Sequence, residues 1–113
     1  MDIDIGDLTL NQMTEISSLV GKNNEKHFYK IGRNYLIRTV LFSYTGKLID
    51  ISNKELLLSD AAWIADTGRY NIAVKDSEFD EVEPYQDAQE IIIGRDTVVD
   101  AVIINGKLPR KVQ

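Results

Sequence analysis

The segment Tyr35-Leu36-Ile37-Arg38-Thr39-Val40-Leu41-Phe42-Ser43-Tyr44 constrains the fold more than any other. It is rich in β-branched and aromatic residues and reads as one long strand. Shorter strands are expected around it. Phe28-Tyr29-Lys30-Ile31 precedes a Gly32-Arg33-Asn34 turn. Thr45-Gly46 marks a bend, Lys47 to Ile51 a strand, Ser52-Asn53-Lys54 a turn, and Glu55 to Leu58 another strand. Glu90 to Ile93 and Thr97 to Ile104 flank the turn Gly94-Arg95-Asp96, and Asn105-Gly106 is a further turn signal. Helical signals in this body are short. Ser59 or Asp60 can cap a helix over Ala61 to Ala65 that ends near Gly68, and Arg69 to Lys75 reads as another helical turn. Asp76 to Glu90, with Pro84, reads as loop. Short strands joined by tight polar turns predict a mostly β fold closed into a small barrel. Strands apolar on both sides predict two covered faces, one by the barrel interior and one by an N-terminal arm or a neighbouring subunit.

The arm is residues 1–26. Leu10, Met13, Ile16, Leu19 and Val20 recur at helical spacing, Thr9 and Gln12 have the spacing of a capping box, and Gly21 suits a helix stop. The body is 27–113, with an insertion at 60–89. An arm of this size buries little against its own small domain, so exchange between subunits, and hence a homo-oligomer, is expected.

Composition excludes several functions. The 113 residues contain no cysteine, which rules out disulfides and thiolate chemistry and fits a reducing compartment. The single histidine, His27, rules out a His/Cys zinc site. The longest apolar runs are too short to cross a bilayer, and the acidic start lacks a signal-peptide pattern, so a cytoplasmic location without a membrane partner is expected. Net charge is −5, but seven acids fall between Asp76 and Glu90; removing them from 18 leaves 11 acids against 13 bases. The body is near neutral, and no basic surface for duplex DNA exists. Asp76, Glu78 and Asp80 could hold a divalent ion only weakly, and a bound cofactor is not expected.

Gly46-Lys47-Leu48-Ile49-Asp50-Ile51-Ser52-Asn53-Lys54-Glu55-Leu56-Leu57-Leu58-Ser59-Asp60-Ala61 resembles the first motif of Sm-like barrels, where a glycine bends the second strand and a leucine-rich third strand ends in Asp-Ala. The likeness covers about a third of the chain. The turn Ser52-Asn53-Lys54 lacks the Asp/Asn pair with which that family reads a base. The resemblance therefore implies an SH3- or Sm-like barrel and ring assembly more than uridine recognition. The body also resembles small uncharacterised bacteriophage and prophage proteins, chiefly through Asp60-Ala61-Ala62-Trp63-Ile64-Ala65-Asp66-Thr67-Gly68-Arg69-Tyr70. That resemblance implies a phage setting, where small proteins serve as accessory structural parts or as inhibitors of host defence, some of which sequester nucleotide signals.

No catalytic constellation is present, and no glycine-rich phosphate loop; an enzyme is not expected. Five residues are candidates for ligand binding. Arg38 interrupts an apolar strand face, where a guanidinium needs an anionic partner, either an internal carboxylate such as Asp60 or Asp100 or a ligand phosphate. Trp63, Arg69 and Tyr70 combine rings with a cation, a kit for stacking a base and pairing a phosphate. The same residues have an internal reading, with Trp63 plugging the barrel as a core anchor and Asp66 bridging Arg69. Arg95 follows Gly94 in a turn and is either solvated or a rim contact. The basic tail, Lys107, Arg110 and Lys111, reads as a solubilising end or as a partner for a neighbour's acidic loop. The expected function is a non-enzymatic phage protein that captures a small anionic, nucleotide-like ligand, sequestering a host signal; the alternative is a phage structural or assembly protein.

Overall fold

A computed structural model describes residues 26–113. The expected arm helix and its capping box lie outside the described residues. Six strands form one antiparallel sheet: β1 (Asn34–Thr39), β2 (Ser43–Ile51), β3 (Glu55–Asp66), β4 (Glu81–Pro84), β5 (Glu90–Gly94) and β6 (Val98–Ile103). A helix, α1 (Tyr70–Asp76), follows β3, and a 3-10 turn, Arg95–Thr97, joins β5 to β6.

The expected long strand over 35–44 is a hairpin. Val40 and Leu41 form its tip, and Thr39 closes it: its backbone N–H donates to the Phe42 carbonyl at 2.7 Å, and the Phe42 N–H donates to Thr39 Oγ1 at 3.0 Å. The tip has none of the usual turn residues, which is why the pattern reads as continuous strand. Phe28 to Ile31 form no strand.

The expected helix at Ala61–Ala65 is instead the second half of β3. Its residues pair with β2 on one edge and β4 on the other, and this two-sided ladder overrides the helix preference of alanine. Ser59 pairs with Lys47 and Ala62 with Thr45, so β3 carries one extra residue at this point. Asp60 takes it up with φ +50°, a left-handed conformation that aspartate tolerates. The bulge inverts side-chain parity. Leu56, Leu58 and Ala61 face one side, whereas Ala62 and Ile64 face the other. The pairing on the outer edge of β3 changes at the same place, from β5 (through Ser59 and Glu90) to β4 (from Ala62 and Pro84).

The sheet is open, contrary to the expected SH3- or Sm-like barrel. Its order runs β4-β3-β2-β1-β6, with β5 also on β3, and β6 at one end does not pair with β4 or β5 at the other. The physical reason lies in two apolar layers. Tyr35, Ile37, Leu48, Leu56, Leu58 and Ile93 pack on one face. Leu36, Ala62, Ile64 and Val82 pack on the other, covered by Ala73 of α1, Phe79 and Ile104. The α1-side layer is covered by the 70–79 insertion and the start of the tail. Gln113 exchanges both backbone hydrogen bonds with Val82 at 3.1 Å, which occupies the outer edge of β4. Part of the expected acidic loop is thus ordered strand. Among the described residues no helix is long and apolar enough to cross a membrane.

Candidate functional site

The five candidate residues do not converge. Arg38 and Tyr70 meet on the α1 side of the sheet, with the guanidinium carbon 5.2 Å from the ring centroid. Arg38 also grips Asp100 across the β1–β6 pair, donating through Nε to Oδ1 at 2.9 Å and through a terminal nitrogen to Oδ2. The internal carboxylate anticipated for Arg38 is therefore Asp100. This pair holds the Asp100 carboxyl below its ordinary value, chiefly by hydrogen bonding, and raises Arg38 further. Both side chains are close to half exposed, so the pair is an anchor of β6 on β1 more than a source of stability.

Trp63 lies on the opposite face, paired with Tyr44 across β2–β3. It is 36% exposed and stacks edge-on against Phe42 at 5.9 Å. The expectation of a buried core anchor is incorrect: Trp63 sits beside the hairpin tip, beyond the layer that Ile37 and Leu58 fill. Arg69 is exposed ahead of α1, where its carbonyl accepts the Ala73 N–H at 3.0 Å. No ion pair between Asp66 and Arg69 forms among the described residues; Asp66 Oδ1 instead accepts the Gly68 N–H at 2.9 Å.

Arg95 lines a concavity at the end of the sheet where β5 turns into β6. The 3-10 turn brings its guanidinium 5.6 Å from the centre of the Tyr29 ring, while one terminal nitrogen donates to the Ser52 carbonyl at 2.6 Å. Its backbone N–H donates to the Lys54 carbonyl at 2.9 Å, so the β2–β3 turn holds it from two sides. Tyr29 in turn packs edge-on against Tyr35 at 5.9 Å, and the Tyr35 hydroxyl accepts the Lys30 N–H at 2.8 Å. Around this stack lies a cavity of about 520 Å³, lined by Lys26, His27, Phe28, Tyr29, Tyr35, Asn53, Arg95, Asp96 and residues 98–101. Burial pushes the Tyr29 phenol up, partly offset by Arg95, so it stays protonated as a hydrogen-bond donor at neutral pH. Of the two acids in the wall, Asp100 is already engaged by Arg38.

Tyr29, Tyr35 and Asn53 were not among the candidates. The signal that could have found them is the ring density at Phe28-Tyr29, which strand periodicity absorbed. Arg110 was also underrated. It donates to the Ala61 carbonyl at 2.8 Å, the Tyr85 carbonyl at 2.9 Å and Asp87 Oδ1 at 2.9 Å, and so pairs with its own chain's acidic segment. No cluster of three metal-ligating side chains occurs among the described residues, Asp76, Glu78 and Asp80 included. No protein-family model, curated protein or solved structure matches this chain.

Proposed function

We propose that the protein is a non-enzymatic binding module that captures a small anionic ligand carrying an aromatic ring, of the nucleotide class, in the cavity beside Arg95. The observation that carries this reading is the Arg95 guanidinium held over Tyr29 at the wall of a 520 Å³ cavity. That volume suits a nucleotide-sized ligand. A guanidinium beside a ring offers a fork for phosphate oxygens and a surface for base stacking. Lys26 and His27 add an ammonium and an imidazole on the same wall, and Asn53 adds an amide that can read a base edge. Arg38, Trp63, Arg69 and Tyr70 fall outside the proposed site. In the phage setting that the sequence resemblance implies, capture without turnover amounts to sequestration of a host signal.

Titration calorimetry of the full chain against cyclic nucleotides, cyclic dinucleotides and ADP-ribose derivatives tests this. Arg95→Ala and Tyr29→Ala should each weaken binding about 10–100-fold, the equivalent of ~1.5–3 kcal/mol for a lost charge-assisted contact. Arg69→Ala, exposed ahead of α1 and outside the cavity lining, should bind like the parent. Absence of any ligand tighter than about millimolar, or folded Arg95→Ala and Tyr29→Ala that bind unchanged, removes the reading. An assembly role then takes its place, supported by the exposed apolar residues at the hairpin tip.

A further inference from the structure

The hairpin tip and β5 enclose an apolar groove on the Trp63 side of the sheet. Val40, Leu41, Phe42, Tyr44, Ile92 and Ile93 line it, in a volume of about 410 Å³. Leu41 is 80% exposed, and Val40 and Ile92 are also largely exposed. Aliphatic side chains at a hairpin tip gain nothing from water, and a contiguous apolar patch of this kind marks a surface that another group covers.

We propose that the occupant is the N-terminal segment of the same chain, through the apolar stripe Leu10, Met13, Ile16, Leu19 and Val20. Two observations select it. The first is where the described chain begins. Gly94 and Thr97 of the 3-10 turn region line the groove, while Arg95, Asp96 and Val98 line the cavity that Lys26 also borders. The groove and the entry of the preceding residues are thus separated by one turn. Six residues from Val20 to Lys26 reach at most ~20 Å, against the ~6 Å rise of a three-residue 3-10 turn. The second is composition: the segment carries its five apolar residues at helical spacing, matched to an apolar acceptor that lacks charged lining residues. Tethering favours this occupant over the exchange between subunits that the size of the arm suggests. A short linker supplies an effective concentration in the millimolar range, whereas a second copy bears the full loss of translational freedom.

Disulfide trapping tests the contact in the full chain, which has no native cysteine to compete. Leu41→Cys is paired in turn with Met13→Cys, Ile16→Cys and Leu19→Cys, with Ser18→Cys as the control on the opposite side of the stripe. Oxidation is expected to cross-link at least one stripe position to residue 41 within a single chain, and Ser18→Cys more slowly. In a second readout, maleimide should react with Leu41→Cys about tenfold more slowly than with Leu41→Cys combined with Ile16→Asp. Absence of any stripe cross-link together with equal maleimide rates overturns the proposal. Cross-linked product found only at twice the chain mass also overturns it, and assigns the groove to a second copy.

Discussion

At Ala61 and Tyr85 two backbone carbonyls face the junction where β3 changes partners from β5 to β4, and both accept from Arg110. The guanidinium is a planar fork that reaches both at once and still meets Asp87. Arg110→Ala should therefore cost about 1–3 kcal/mol in urea denaturation, because the Tyr85 carbonyl loses this charged donor and the Ala61 carbonyl falls back on the Tyr85 N–H, while water does not fully replace the loss. Arg110→Lys should recover only part of this, since one ammonium cannot span both carbonyls. Asp100 carries a pH dependence of known sign. Its folded-state pKa lies below the ordinary carboxylate value, so its contribution is present above that value and is lost as pH falls through the lowered one. Asp100→Asn should flatten the acid limb of the stability curve below about pH 4 while leaving the alkaline limb unchanged. Thermal melts across pH 2–9 check this, and an identical acid limb contradicts it. The sequence made Arg38 legible as a guanidinium on an apolar strand that needs an anion, and named Asp100 as one candidate. It did not make Trp63 legible, because alternation tells which face a residue takes and not how far along that face the cover extends.

Elements were read best where periodicity and turn chemistry agreed. The strands at 90–93 and 97–104 and the helical turn at 69–75 appear with small shifts in their ends, whereas those at 47–51 and 55–58 are parts of the longer β2 and β3. The failures occur where the local signal was absent or was overruled. The Val40-Leu41 tip has no turn residue, and the alanines after Asp60 favour a helix that pairing on both edges displaces. The extra residue at Asp60 was invisible because its signature is a conformation, φ +50°, that a sequence pattern does not print. Gly46 is the element-scale counterpart of this bulge. A Cβ there would lie 3.1 Å from Leu58 Cβ and Cδ1 and 3.4 Å from Ala61 Cβ, so β2 approaches β3 closely where the extra residue is accommodated. Gly46→Ala should destabilise by about 1–3 kcal/mol through overpacking, measured by chemical denaturation, with no new strain in φ to add to it. A change within about 0.5 kcal/mol would mean that Leu58 repacks freely.

At the scale of the molecule, the apolar pattern on both sides of the strands corresponds to two apolar layers and not to a barrel interior. A closed barrel has one interior, and strands apolar on both sides need two layers. The 70–79 insertion and the residues from Ile104 onward supply the second, which leaves the sheet open with β6 at its end. That arrangement places Arg95, Tyr29 and Asn53 around one cavity, which adjoins the Arg38–Tyr70 pair through Asp100. The central claim is that this cavity, and not the α1 side, receives the ligand. Backbone amide NMR of the full chain, titrated with ADP-ribose and with a cyclic dinucleotide, tests it most directly. Saturable shifts gathered on Tyr29, Asn53, Arg95 and Val98, with Tyr70 and Ile72 unmoved, are the expected result. Shifts centred on Arg38, Arg69 and Tyr70, or no saturable shift with either ligand up to about millimolar, would contradict it.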